Sequence, residues 1–162
     1  MQAKDVIHRL IDSGHRWIRE YVEDLGEADL LVRTVPGCNH AAWQLGHLIA
    51  GTRRILGSLG HAAPVLPAGF EAAHSREAAA LDDRTAFASK AEYLGLFRQM
   101  ETASHAAVDA TPDASLDQPA PEPMRHYAPT VGAALMLLGG HLLMHAGQFV
   151  PLRRKLGMGF KF

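Results

Sequence analysis

The sequence predicts an all-α protein, a four-helix bundle with long connections, on three observations. Four segments carry apolar residues at helical spacing, and no segment alternates apolar and polar residues over the length of a strand. Two connections are long, residues 60–88 and residues 110–129, and the second contains five prolines. The 162 residues, 48% of them hydrophobic, suit a single domain over 1–162 with a sizeable core.

The first two helices are predicted over residues 2–25 and from Asn39 to about Leu59. In the first, an apolar stripe places His8 and His15 on the opposite side, where we expect them to face solvent. Asn39 follows Pro36-Gly37 and is a suitable N-cap for the second helix. Beside the apolar stripe of that helix lies a face with a different composition, which comprises His40, Trp43, Gln44, His47 and Gly51.

The last two helices are predicted from a capping box and from an apolar stretch that follows Pro129. Ser89 and Glu92 have the spacing of a capping box, which predicts a third helix from Ser89 to about Asp109. The fourth is predicted from Thr130 to Gly157, with basic residues in its last turns. Because Pro151 lacks a backbone N–H, we expect a kink there.

Composition excludes several classes of protein. One cysteine, Cys38, rules out a disulfide framework, and we expect it to be a small buried thiol. Sixteen basic and 17 acidic residues leave no basic field for nucleic acid. The N-terminal residues do not resemble a secretory signal, and the most apolar stretch, 131–152, is interrupted by histidines, glycines and a proline. We therefore expect a cytoplasmic protein with no membrane partner.

Two histidines of the fourth helix lie on its apolar, inward face. His141 and His145 are separated by four residues, a spacing that allows both imidazoles to reach one ion. Two buried imidazoles need polar partners, and a divalent metal satisfies both if another helix supplies a third ligand. Gln148 lies on the same side, where it would orient a ligand or simply pack near the helix end.

His47 is the candidate third ligand, since Ala50 and Gly51 leave room around it, and His40 on the same helix face is its main competitor. Four other histidines have surface exposure as the default expectation. Three of them are alternatively a fourth ligand or a residue of a lid, namely His61, His74 and His126, whereas His105 is expected only at the surface.

The other face of the fourth helix carries small residues at seven-residue spacing, among them Gly132, Gly139, Gly140 and Gly147. Glycine within a helix costs about 1 kcal/mol relative to alanine, so the pattern indicates close approach of another element. We expect a homodimer interface or a covering loop; the alternative is that the glycines accommodate helices of the same bundle.

Two motifs, NHAAWQLGHL and HLLMHAGQFVPLRRKLG, resemble those of the DinB-like (YfiT-like) superfamily, and the resemblance spans essentially the whole chain in order and spacing. It implies a four-helix bundle with up-down-down-up connectivity that is frequently dimeric. It also implies a divalent metal site of three histidines, which map to His47, His141 and His145. Some characterised relatives transfer low-molecular-weight thiols, or use one to isomerise a small acid.

Three imidazoles suit zinc or nickel better than magnesium or calcium, and three protein ligands leave coordination positions open. The chain has no GxSxG, HExxH or phosphate-binding glycine motif, and Cys38 lies outside the site, so a sulfur nucleophile would come from a cosubstrate. The leading hypothesis is a metal-dependent enzyme of the thiol S-transferase type that binds a small molecule. The alternatives are a non-catalytic metal- or ligand-binding stress-response bundle and a degenerate member without metal. Arg53 and Arg54 are either anion contacts or solvated surface.

Overall fold

The computed structural model describes residues 2–161 and is all-α, as predicted; within these residues there is no β-strand, only an isolated bridge between Pro119 and Thr130. Its α-helices number five rather than four, because one additional turn forms within the first long connection. The helices are α1 (Ala3–Val22), α2 (Ala41–Ser58), α3 (Phe70–Ala73), α4 (Lys90–Ala110) and α5 (Val131–Lys155).

Of the two caps predicted, one is present in the structure, and Thr130 caps a further helix. The capping box of α4 is present, with the Ser89 backbone N–H donating to Glu92 at 2.7 Å, and the Thr130 hydroxyl accepts from the first turn of α5. The prediction of Asn39 as the cap of α2 is wrong. The cap is His40, whose Nδ1 accepts from the backbone N–H of Trp43 at 3.1 Å.

The buried stripe of α1 is rotated from its predicted position, because α1 packs against α5 on one side and α4 on the other. Val6, placed in the predicted stripe, is exposed, whereas His15 is buried, with 3% of its surface accessible. The prediction that His15 faces solvent is therefore wrong. His8 and His105 are half-buried rather than fully exposed, and their Nδ1 atoms lie 2.6 Å apart between α1 and α4.

Contacts between helix ends give their relative directions. Lys4 reaches the Asp109 carbonyl and Lys90 reaches that of Glu23, so α1 and α4 run antiparallel. The guanidinium of Arg153 near the end of α5 binds the carboxylate of Asp24, just after α1, so α1 and α5 run parallel.

Helices α1 and α5 cross at a pair of glycines. A Cβ added to Gly139 would lie 2.6 Å from the backbone nitrogen of Ile11 and closer still to the carbonyl of Leu10. A Cβ added to Gly14 would lie 2.7 Å from the carbonyl oxygen of Gly139. At Gly139 the small residue therefore serves packing within the chain. Gly140 and Gly147 differ, since a Cβ there would meet nothing within 4 Å.

The two long connections contain short helical turns instead of being structureless. Residues 60–88 include α3 and two 3-10 turns, and residues 110–129 include two more. His74, at the end of α3, is buried, so the expectation that it lies at the surface is wrong. Cys38, in the segment before α2, is exposed and not the buried thiol that was expected.

Within the described residues 2–161, one helix, α5, is long and apolar enough to cross a membrane by length and composition alone. Within its most apolar window 44% of the residues are buried inside the protein. Leu135, Leu138 and Phe149 are completely inaccessible and belong to the core. Packing against α1 and α2 inside the protein therefore explains much of the apolar composition of α5.

Candidate metal centre

Three histidines from two helices come together at the predicted site. His47 on α2 and His141 and His145 on α5 each offer a ring nitrogen, and these three atoms lie within 4.8 Å of one another. The ring centroid of His47 lies 5.2 Å from that of His141 and 5.3 Å from that of His145. Antiparallel packing of α2 and α5 produces the cluster, because it sets one histidine of α2 against successive turns of α5.

Two neighbours on α2 hold the rings of His47 and His145 in place. The indole of Trp43 stacks on the imidazole of His47, with centroids 4.8 Å apart and 11° between the planes, and donates from Nε1 to the carbonyl of Ser75. The Gln44 amide oxygen lies 3.1 Å from Nδ1 of His145, and its nitrogen donates to the Asn39 carbonyl. His145 therefore donates from Nδ1 to Gln44, which leaves the Nε2 lone pair free for a ligand bond.

Burial keeps the three imidazoles neutral. It lowers the pKa of His141 to about 4, with His47 adding to the effect, and it lowers the pKa of His145 to about 4 as well. The pKa of His47 is lowered by burial and then by the nearby positive charge of Arg54. Neutral imidazole is the form that binds a metal, so these residues meet the ion's requirement near neutral pH.

A further observation supports the fit of the three histidines to a divalent ion. Within residues 2–161 the ring nitrogens of His47 and His141 make no hydrogen bond, although both rings are only partly accessible. The small residue Gly51 faces His141, whose ring would lie 3.5 Å from an added Cβ. Free lone pairs at half-buried positions, with space beside them, are what an ion with open coordination positions needs.

His40, the main competitor of His47, has both ring nitrogens occupied. Its Nδ1 caps α2, and its Nε2 donates to the carbonyl of Leu81 at 2.9 Å, while its ring edge contacts Phe87. His40 thus joins the start of α2 to the end of the first long connection. The structure assigns it a structural role.

His74 also uses both nitrogens. Nδ1 donates to the carbonyl of Phe70 at 2.7 Å, and Nε2 accepts from the hydroxyl of Tyr93 at 2.6 Å. The ring lies directly on Gly46 of α2, where a Cβ would overlap it. These contacts attach the first long connection to α2 and α4 beside the cluster.

The remaining candidates lie outside the cluster. His61 is half-buried and pairs with the hydroxyl of Thr111, and His126 is exposed against Tyr127. Gln148 is exposed, and the glutamine that hydrogen-bonds a histidine of the cluster is Gln44.

A second group of ligand-type side chains, Asp12, Glu101 and His105, lies between α1 and α4. Each of these side chains already has a partner: His105 Nε2 lies 2.9 Å from the Asp12 carboxylate, His105 Nδ1 faces His8, and Glu101 pairs with Arg19 at 3.8 Å. Because 62% of the Asp12 side chain is exposed, this group is better described as a solvated network than as a metal site.

Two cavities adjoin the three-histidine cluster and share His47 and Arg54. The larger, about 640 Å³, lies under the first long connection and includes Trp43, Glu71 and Arg76. The smaller, about 280 Å³, is lined by His141 and by Gly51, Ile55, Tyr127 and Leu137. The cluster is thus accessible to a small molecule from two sides.

A family model described as the DinB superfamily matches residues 11–149, which is most of the chain. The protein belongs to the DinB superfamily. No curated protein and no solved structure matches the chain.

The role of Gln44 was not predicted from the sequence, although a signal was present. Trp43, Gln44 and His47 lie on one face of α2, distinct from its apolar stripe. A polar face beside the apolar stripe of a buried helix indicates groups that bind one another or a ligand.

Proposed function

We propose that this protein binds one divalent metal ion, zinc or nickel, through His47, His141 and His145. The observation that carries the proposal is the convergence of three neutral imidazoles, two of which have no hydrogen-bond partner within residues 2–161. Neutral nitrogen ligands without thiolate or carboxylate favour borderline metals such as these. Gln44 and Trp43 would hold two of the ligands in the binding orientation.

We further propose that the site serves a metal-dependent enzyme of the thiol S-transferase type, which acts on a small molecule with a low-molecular-weight thiol as cosubstrate. A bound divalent ion supplies Lewis acidity, which favours the thiolate over the thiol. The chain itself supplies two cavities beside His47 in which a thiol and an electrophile would lie together. Proximity of this kind is a large part of the catalysis of two-substrate reactions.

The second candidate function is a non-catalytic metal- or ligand-binding bundle with a role in stress responses. The observation that favours it is that, among residues 2–161, no side chain near the cluster is an evident general acid or base. Glu71 lines the larger cavity, but its carboxylate pairs with Arg53 at 3.1 Å. A pure binding protein would show metal and ligand binding without adduct formation.

Fold details beyond the all-α class are also proposals. The directions of α1, α4 and α5, together with the antiparallel contact of α2 and α5, support an up-down-down-up bundle of the four long helices. A homodimer through the exposed face of α5 is supported by Met136 and Met144, of which 46% and 60% are accessible, beside the open positions Gly140 and Gly147. The cytoplasmic location stays a prediction.

Metal content tests the binding proposal directly. Protein purified without a nickel column should carry about one zinc or nickel ion per chain, measured by elemental analysis. His141→Ala and His141→Gln should both lose it because two remaining imidazoles bind the ion far more weakly. His61→Ala, a histidine outside the cluster, is the matched control, and circular dichroism shows that each variant is folded. Unchanged metal content in both His141 variants would refute the ligand set.

Catalysis is tested separately on metal-loaded protein. Incubation with a panel of thiols and electrophiles, followed by mass spectrometry, should give adducts that disappear when the metal is removed by a chelator. Binding of thiol without any metal-dependent adduct would favour the non-catalytic alternative.

A further inference from the structure

Arg54 is a cation without a protein partner at the edge of the three-histidine cluster. Its side chain makes no hydrogen bond or salt bridge with the described residues 2–161, and it is exposed. It also lines both cavities that adjoin the cluster.

The register of α2 explains why this arginine belongs to the site. His47, Gly51 and Arg54 are separated by four and then three residues, so they lie on one face of the helix. Gly51, between the other two, has no side chain to divide the space between the imidazole and the guanidinium. Arg54 therefore faces the same open volume as the ring nitrogens of the cluster.

Arg53, one residue earlier, differs from Arg54 because it forms an ion pair within the protein. Its guanidinium pairs with Glu71 at 3.1 Å and joins α2 to α3. Arg54 forms no such ion pair with residues 2–161. A planar guanidinium with its donors unused is well suited to bind a carboxylate through two parallel hydrogen bonds.

The smaller cavity also indicates what the rest of such a ligand would be. Ile55 and Leu137 give it an apolar wall, and Tyr127, half of whose surface is accessible, lies at its edge. Its volume of about 280 Å³ suits a small organic molecule. A cavity that has an apolar wall and is also lined by a guanidinium and by histidines of the cluster matches a ligand with one charged end and a short organic body.

We propose that Arg54 binds the carboxylate of a small organic acid, whose reacting group then lies at His47, His141 and His145. This inference rests on the proposed function, because it names the substrate class of the same site. It makes Arg54 a specificity-determining residue that selects acids over neutral analogues.

The experiment compares two probes that differ only in charge, 3-mercaptopropionate and 3-mercaptopropanamide. Both are titrated calorimetrically into cobalt-loaded protein, where the thiol can engage the cluster and only the acid can engage Arg54. Wild type should bind the acid about tenfold more tightly than the amide. Arg54→Gln should abolish this preference, Arg54→Lys should retain part of it, and the matched control Arg53→Gln should keep it.

The outcomes separate this inference from the proposed function. Cobalt retention with equal affinity for acid and amide in wild type would overturn the role of Arg54 and leave the metal site intact. An equal loss of preference in Arg53→Gln and Arg54→Gln would also overturn it, because general surface charge would then explain the effect. If cobalt is not retained, the metal proposal fails, and the titrations are made on metal-free protein. A preference for the acid that requires Arg54 then still supports the inference, and its absence overturns it.

Discussion

Replacement of Gly139 by alanine tests the packing of α5 on α1 at its closest point. Alanine favours a helix over glycine by about 1 kcal/mol, so the substitution would stabilise α5 if nothing lay beside it. In the structure the new methyl group would lie against the backbone of Leu10 and Ile11. Backbone atoms cannot rotate away, so relief requires α1 and α5 to move apart.

The size of the effect follows from these two opposing terms. Overpacking in a dense interior costs about 1–3 kcal/mol, and separation of the helices also loosens the contacts of their neighbours. The same substitution at Gly140, where a Cβ meets nothing within 4 Å, gives the helix-propensity gain alone. We therefore expect Gly139→Ala to be less stable than Gly140→Ala by about 1–3 kcal/mol.

Urea and thermal unfolding followed by circular dichroism measure this difference. For a chain of this length it corresponds to a separation of the two unfolding midpoints of about 2–12 °C. Both variants carry the same chemical change in the same helix, so propensity cancels between them. If Gly139→Ala were as stable as Gly140→Ala, the close crossing of α1 and α5 would be refuted.

Two further predictions concern polar residues. Burial, with the positive charges of His105 and Arg19, lowers the pKa of His15 to about 4, against about 6.5 in the unfolded chain. The neutral His15 side chain thus makes its full contribution to the free energy of unfolding above about pH 6.5. This contribution is lost as the pH falls towards 4, by up to about 3 kcal/mol. The acid loss of stability, measured by urea unfolding at each pH, should shrink by that amount in His15→Leu; an equal loss in both proteins would contradict the assignment. Gln44→Leu should weaken metal binding about 10- to 100-fold in a chelator competition, because His145 loses the acceptor that fixes its ring. Gln148→Leu, at an exposed position, should leave the affinity unchanged, and an equal effect of the two variants would show that Gln44 does not position His145.

Local sequence signals predicted the helices well where the determining contacts are also local. The capping box of Ser89 and Glu92 lies within four residues, and the structure contains it as expected. The start of α2 was misplaced by one residue, because a histidine took the capping role more often filled by Asn, Ser, Thr or Asp. The short turns of residues 60–88 depend on distant contacts, such as that of His74 with Tyr93, and no local pattern encodes them.

The histidines of the candidate site could be predicted from the sequence, whereas the residues that hold them in place could not. The spacing of His141 and His145 fixes two imidazoles on one side of a helix whatever the helix packs against. Both His47 and His40 were reasonable candidates on α2 for the third ligand. Only the packing shows that the two ring nitrogens of His40 bind the helix N-terminus and the carbonyl of Leu81. The surface expectation for His15 failed for a related reason, since a single helical wheel does not show how many neighbours cover the helix.

By itself, the sequence determined the helical class of this protein, the pair of histidines on α5 and membership of the family to which its motifs point, because these depend on periodicity and on order along the chain. The tertiary structure decided which of ten histidines converge, which glycine faces a backbone and which arginine lines the cavities beside the cluster. Those properties depend on the alignment of α1, α2 and α5 with one another. Residues about one hundred positions apart, such as Gln44 and His145, become neighbours only when those helices pack.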